Sequence, residues 1–215
     1  MDDRLKTIMD FVPAGSKVAD VGTDHAYLAV ELVKRGIADF VIASDKNVGP
    51  IEAAKQSIAA AGLSDKIDVR LGDGLKVISA GEVEVVCIAG MGGSLVCDIL
   101  SASPEVVARL DKIILQPMNA VDKVRGWLIS NDWYIEDEDL AEVDGIIYEI
   151  ICAGKSAGNV VSSTRKVRSP LFPKFIQSNV DKLSRILEAM SQSPAAVHSD
   201  KYRQIQRQID EWKAF

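Results

Sequence analysis

The chain has 215 residues, 47% of them hydrophobic and 26% charged, with a formal net charge of −6 and a pI near 5.0. That balance excludes a disordered or fibrous chain, no apolar run is long enough for a spanning helix, and the opening Met-Asp-Asp-Arg lacks the basic-then-apolar layout of a signal peptide, so the expected address is the cytoplasm. Three widely spaced cysteines (Cys87, Cys97, Cys152) and only two histidines give neither a disulfide framework nor a metal motif, and no metal is expected.

The acidic total argues against a polyanionic partner only if the charge is evenly spread. Residues 1–154 carry 14 basic and 26 acidic side chains, net −12, whereas residues 155–215 carry 11 and 5, net +6. The break coincides with the polar, glycine-bearing stretch Gly154-Lys155-Ser156-Ala157-Gly158-Asn159, which reads as a linker. Two domains are therefore expected, an acidic body over 1–154 and a basic tail over 155–215.

Along the body, short β-rich runs alternate with segments of helical period, the pattern of a parallel α/β sheet. Residues 17–21 read as a strand leading into a helix over 27–35; strands follow at 40–43, 67–71, 83–89 and 112–115, with helices at 51–61, 94–100 and 120–130. The run Val83-Glu84-Val85-Val86-Cys87-Ile88-Ala89 is nearly unbroken in apolar residues, as suits a strand covered on both faces. The rhythm then changes. Residues 133–142 and 146–153 are separated only by Val143-Asp144-Gly145, so an antiparallel hairpin should close the mostly parallel sheet. In the tail, Ile176, Val180, Leu183, Leu187 and Met190 form a heptad-like seam, and Tyr202, Ile205, Ile209 and Trp212 form a second after a break at Ser193-Pro194. These predict an antiparallel helical hairpin: an ordinary packed pair, a dimerisation element, or a carrier for a basic face.

The chemistry concentrates where strands end. Asp20 closes the first strand, Gly22 follows, and a helix begins soon after, so backbone amides can approach a ligand closely. Asp24 stands where a dinucleotide fingerprint has its second glycine, and an aspartate there repels a pyrophosphate. The expected ligand lacks phosphates but carries an amino or sulfonium group, which S-adenosylmethionine does; alternatively, Thr23 or Asp24 only caps the helix. Asp45, with Lys46 beside it, lies at the spacing for an acid that accepts ribose hydroxyls. Asp73, followed by Gly74, suits an adenine amino group, and either acid would equally serve as a cap or turn residue. Gly90-Met91-Gly92-Gly93 brings bare backbone to the crevice or makes a close strand-to-helix turn. Gln116 and Asn119 offer amides to a polar base edge, and His25 is either a proton acceptor or base contact, or a structural hydrogen-bonding group.

The segments Asp20-Val21-Gly22-Thr23-Asp24-His25-Ala26-Tyr27-Leu28, Gly72-Asp73-Gly74-Leu75, Ile88-Ala89-Gly90-Met91-Gly92-Gly93, Leu115-Gln116-Pro117 and Tyr148-Glu149-Ile150 together resemble the bacterial tRNA adenine-N1 methyltransferases called TrmK. The resemblance covers the body and, through the helical hairpin, the tail. It implies a class I, Rossmann-like methyltransferase fold, S-adenosylmethionine as donor, and methylation of N1 of the adenine at tRNA position 22. The positions it implies for the donor site are Asp20, Gly22, Thr23, Asp24, His25, Asp45, Lys46, Asp73, Gly74, Gly90, Met91 and Gly92. Asp24, His25 and Asn119 become the candidate catalytic residues. Tyr27 and Gln116 are expected at the substrate base, Met91 offers it apolar surface, and Arg165, Lys166 and Arg168 are expected on the RNA backbone. The partners expected are tRNA and, at most, a second copy in a weak homodimer, with no membrane. The competing expectations are a small-molecule methyltransferase with a dimerising tail, and an RNA-binding protein with a vestigial donor pocket.

Overall fold

A computed structural model describes residues 2–155 and 165–215; residues 156–164, which hold most of the expected linker, and the side chains of Arg165 and Pro194 lie outside the described residues. Seven strands, β1 (Ser16–Val21), β2 (Ala38–Asp45), β3 (Ile67–Leu71), β4 (Val85–Met91), β5 (Lys112–Pro117), β6 (Tyr134–Val143) and β7 (Ile146–Gly154), form one sheet in the order β3-β2-β1-β4-β5-β7-β6. The first five pair in parallel, and β7 runs antiparallel to both β5 and β6. The expected hairpin is thus the far edge of the sheet, with β7 inserted between β5 and β6. From β1 the chain builds outward through β2 and β3, then returns to lay β4 on the other side of β1. The carboxyl ends of β1 and β4 therefore flank the topological switch point, where an open α/β sheet leaves a crevice.

Alternation along the strands explains the two cores. Val18 of β1 faces a cluster with Ile8, Leu28, Leu32 and Ile58, whereas Ala19 and Val21 face a second with Val96, Leu100, Val124 and Leu128. Helices α1 (Asp3–Met9), α2 (Tyr27–Lys34) and α3 (Val48–Ala61) supply the first; α4 (Gly93–Ser101), α5 (Pro104–Val107) and α6 (Val121–Ser130) supply the second. Helix α1 was not expected from the sequence. The Asp2 carboxylate caps it by accepting from Leu5 N–H at 3.0 Å, and Leu5, Ile8 and Met9 give it an apolar face. Strand β4 runs to Met91, beyond the apolar run, because Met91 pairs with Pro117 across an irregularity at Gly90. The three cysteines are buried, and none forms a disulfide among the described residues.

The chain divides into two units, Met1–Val167 and Arg168–Phe215. A short helix, α7 (Arg165–Arg168), lies at the division. In the second unit, α8 (Phe172–Ser191), α9 (Pro194–Val197) and α10 (Asp200–Lys213) bury Val180, Ile205 and Ile209 among Ile176, Leu183, Leu187, Met190 and Trp212. Phe175, near the start of α8, meets Trp212, near the end of α10, edge-on at 5.5 Å, so the two helices run antiparallel. No helix among the described residues is long and apolar enough to cross a membrane.

Candidate active site

The turn from β1 into α2 forms one wall of the crevice. Gly22 has φ +81°, and a Cβ there would lie 1.9 Å from Met91 Cε, so the backbone and its neighbour both favour glycine. The amides of Gly22 and Thr23 donate to the Ser44 carbonyl at 2.8 and 2.9 Å, binding the turn to β2. Thr23 is buried; its hydroxyl accepts from Ala26 N–H at 3.1 Å and hydrogen-bonds the Asp20 carboxylate. The N-cap of α2 is Ala26 itself, in the left-handed region at φ +56° with no side-chain cap. Thr23 thus shapes the turn rather than capping the helix.

Asp20 is the acid of the site whose carboxyl is pushed upward. It is 7% exposed and lies in register between Ala43 and Cys87. Burial pushes its carboxyl up to about 6, and the Thr23 hydrogen bond only partly opposes this. Its charged form is costly unless a cation comes to it, the behaviour of a group awaiting a cationic ligand.

Two adjoining hollows share Gly22. One, small, is lined by Val21, Ser44, Asp45, Lys46, Gly72, Asp73, Gly74, Met91, Leu95 and Ile99. Asp45 Oδ1 accepts from Asn47 N–H at 2.7 Å and from its side-chain amide at 3.0 Å, while the Lys76 ammonium hydrogen-bonds Asp73 and holds its carboxyl below the usual range. Gly74, at φ +59°, would put a Cβ 2.9 Å from Ile99. The other hollow, about 390 Å³, is lined by Asp2, Arg4, Leu5, Asp20, Thr23, Asp24, His25, Tyr27, Leu28, Ala89 and Gly90. At its mouth the rings of His25 and Tyr27 stack at 5.2 Å and 21°, and His25 Nε2 lies 3.5 Å from Asp24 Oδ2.

These features fit an elongated, phosphate-free ligand with a nucleoside at one end and a cation at the other. The hydroxyl oxygen of Ser44, a residue only 1% exposed, has no hydrogen-bond partner among the described residues and belongs to the smaller hollow. An orphaned buried hydroxyl calls for a polar ligand atom. Gly22 lines both hollows with the Met91 methyl seated against it, and the carboxylates of Asp20 and Asp24 repel phosphate and attract a sulfonium or ammonium. Among the described residues, no group of three or more His, Cys, Asp or Glu is placed to hold a metal.

A family model described as a methyltransferase domain matches residues 1–151. The tRNA (adenine(22)-N(1))-methyltransferase of Bacillus subtilis strain 168 is 39% identical over 153 residues, 71% of this chain and 64% of that protein. This chain belongs to the tRNA adenine-N1 methyltransferase family. The crystal structure of the B. subtilis m1A22 tRNA methyltransferase TrmK superposes with TM-score 0.85 at 29% identity, covering 100% of this chain and 97% of that one. The Streptococcus pneumoniae protein Sp1610, solved in complex with S-adenosyl-L-methionine, gives TM-score 0.81 at 35% identity over 97% and 99% of the two chains. The aligned segment spans somewhat under two thirds of the B. subtilis relative's sequence, while the structural match extends through the helical tail.

Within this methyltransferase frame, Asp20, Gly22, Thr23, Asp24, His25, Tyr27, Asp45, Lys46, Asp73, Gly74, Gly90 and Met91 all line one hollow or the other. Gly93 is explained by packing, since a Cβ there would lie 2.6 Å from the carbonyl oxygens of Asn119 and Ala120; Gly92 is not among the residues lining either hollow, and a Cβ there would lie 3.2 Å from Asn119 Oδ1. Asn119 is exposed and is not among the residues lining either hollow; its Oδ1 accepts from Gly93 N–H at 3.3 Å. Gln116 departs from its expected role. It is wholly buried, and its Oε1 accepts from Gly90 N–H and Arg4 Nη1, each at 3.1 Å, so it braces the crevice floor instead of presenting its carbonyl to a base.

Lys166 also departs from its expected role on the RNA backbone. It is 8% exposed and pairs with Glu149, which Arg125 also engages at 2.8 Å while pairing with Glu138. Two cations and two carboxylates neutralise each other there, which leaves Lys166 a structural anchor for α7. Arg168 is exposed, and the side chain of Arg165 lies outside the described residues. The sequence analysis missed Asp2 and Arg4, which reach the larger hollow from α1. The available signal was a capping aspartate ahead of Leu5, Ile8 and Met9 at helical spacing.

Proposed function

We propose that this protein methylates N1 of the adenine at position 22 of tRNA, using S-adenosylmethionine. The observation that carries the reading is the run of acids at three successive strand ends, Asp20, Asp45 and Asp73, around a glycine turn beside the stacked His25–Tyr27 pair. The names and ligand of its close relatives support the same activity. When bound, S-adenosylmethionine supplies an electrophilic methyl on a sulfonium.

The chain's own residues have three tasks. Asp45, Lys46, Asp73 and Ser44 hold the nucleoside, while Asp20 and the backbone at Gly22 and Gly90 hold the amino-acid end. Adenine N1 has an in-plane lone pair and needs no prior deprotonation, so the site chiefly aligns the base for in-line attack and excludes water. Tyr27 and His25 give a displaced adenine a stacking surface, replacing part of what it loses on leaving the tRNA stack. Positive charge grows on the base as the methyl arrives. The Asp24 carboxylate, next to His25, offsets that charge, and the exposed Asn119 offers its amide oxygen to the exocyclic amino group.

In this reading residues 1–154 perform catalysis and residues 155–215 hold RNA in the cytoplasm. A groove between α8 and α10, lined by Ser184, Leu187, Gln206, Ile209 and Asp210 with Arg203, Arg207 and Lys213, supports the second assignment. It supplies three cations against one acid, suited to a phosphate backbone. The test uses two tRNA transcripts, identical except for adenine or guanine at position 22, with labelled S-adenosylmethionine. The proposal expects label only in the adenine transcript; equal labelling of both, or none despite donor binding, would overturn it.

A further inference from the structure

The two acids of the smaller hollow stand on different footings. Asp45 is the last residue of β2, whereas Asp73 lies beyond the end of β3, in the connection that leads to β4. The Asp73 carboxylate meets the Lys76 ammonium in an exposed pair, and such a pair holds a loop only weakly. A firmer hold comes from Arg70, inside β3. Resting on the donor reading above, we propose that Arg70, clasped to Glu82, is a positioning residue for the nucleoside end of S-adenosylmethionine: it fixes the connection over residues 72–82 so that Asp73 and Gly74 keep their place beside Asp45 in the smaller hollow.

The guanidinium is engaged within the chain. Its Nε donates to Asp68 Oδ2 at 2.8 Å, Nη1 to the Val77 carbonyl at 2.7 Å and to Glu82 Oε2 at 2.8 Å, and Nη2 to Glu82 Oε1 at 2.5 Å. These contacts occupy all but one of its N–H donors and leave no fork for an RNA phosphate. Glu82 Oε2 also accepts from Ser79 N–H at 2.8 Å, so the clasp grips the connection at Val77, Ser79 and Glu82. The Arg70 and Glu82 side chains are 24% and 29% exposed, and the Arg70 hydrogen bonds drive the Glu82 carboxyl down to about 2, which keeps the pair charged. From Val77 the hold passes to the ligand-facing residues. Its side chain seats on Gly72, where a Cβ would lie 2.0 Å from Val77 Cγ1, and the Gly72 amide donates to the Asp45 carbonyl at 2.9 Å. Leu75 and Ile78 anchor the same turn in the second core. Arg70 is thereby linked, through Val77 and Gly72, to the backbone that carries both acids.

The experiment sets donor readouts against tRNA readouts in the full chain, Arg70→Met and Glu82→Gln, with a thermal melt of each to confirm folding. S-adenosylhomocysteine and methylthioadenosine, which keeps the nucleoside but lacks the amino-acid end, are titrated by calorimetry; kcat, KM for tRNA and the salt slope of tRNA binding are measured at saturating donor. Arg70→Met should weaken both ligands by the same factor, about tenfold, the effect of one displaced hydrogen-bonding group. It should leave kcat and KM for tRNA within about twofold and the salt slope unchanged. Glu82→Gln keeps its shape and an acceptor for Ser79 N–H, so it should weaken both ligands by about threefold, and it carries the test if Arg70→Met does not fold. Undiminished affinity for both ligands in a folded variant would overturn the assignment. Weakening of S-adenosylhomocysteine alone would also overturn it, by moving the effect to the amino-acid end. So would a kcat and a tRNA KM that worsen in step with donor binding, the mark of general loosening, or a flattened salt slope, which would give Arg70 to the RNA. If the unaltered chain bound neither ligand, the donor reading itself would fail.

Discussion

Replacing Asp20 by asparagine should stabilise the free protein while disabling its donor site. In the folded chain burial raises the carboxyl from 3.8 to about 6. Between those values the unfolded chain has lost the proton and the folded chain retains it. Stability therefore falls as pH rises through that window, by about 1.4 kcal/mol per pH unit, and levels off above it. The full loss is about 3 kcal/mol at neutral pH, the free energy that separates an ionised Asp20 in its buried place from one in water. Asparagine has nearly the same shape, still accepts from the Thr23 hydroxyl, and carries no charge to desolvate. Denaturant unfolding of both proteins from pH 4 to pH 8 measures the difference. The two curves should converge near pH 4 and separate as pH rises, with Asp20→Asn the more stable by up to about 3 kcal/mol, or about 5–10 °C in melting temperature. Other titrating groups act equally in both proteins and cancel. Parallel curves would refute the reasoning, because they would mean that Asp20 ionises in the folded chain as freely as in the unfolded one. Donor binding should show the converse. Affinity in the unaltered protein should fall by about tenfold per unit below pH 6, while Asp20→Asn should bind weakly at every pH.

The other predictions follow from particular contacts. Gly22→Ala should cost about 1–2 kcal/mol through its left-handed backbone alone, and should abolish donor binding in calorimetry because the new methyl displaces Met91; near-normal affinity would contradict the crevice geometry. Tyr27→Ala should raise KM for tRNA while leaving the donor Kd unchanged; a matching loss of donor affinity would move Tyr27 out of the base site. Each of Arg203→Ala, Arg207→Ala and Lys213→Ala should flatten the salt dependence of tRNA binding by nearly one counterion, read from the slope of log K against log salt. Lys166→Met should leave that slope unchanged and instead lower stability, since it leaves Arg125 alone to neutralise both Glu149 and Glu138; a flattened slope for Lys166→Met would restore it to the RNA surface.

The legible parts of this molecule were those whose physics is local. Strand ends and glycine turns are written in a few consecutive residues, so Asp20, Asp45 and Asp73 came together at the crevice from spacing alone, and the seams at Val180 and Ile205 predicted their own packing. What the sequence hid depends on distant partners. Arg4 takes its meaning from Gln116, 112 residues away, and Lys166 from Glu149 across the fold. A lysine in a basic stretch reads as solvated, and only the carboxylates of β6 and β7 show otherwise. A glutamine after a strand reads as a base contact until an arginine and a backbone amide occupy its oxygen. Gly93 likewise looked like ligand-facing backbone, whereas the carbonyls of Asn119 and Ala120 leave no room there for a side chain.

The most direct measurement digests tRNA after incubation with the protein and labelled S-adenosylmethionine and identifies the modified nucleotide by mass and position. The account predicts 1-methyladenosine at position 22, lost when the transcript carries guanine there. Label on another atom of adenine, at another position, or on a small molecule in place of tRNA would contradict it.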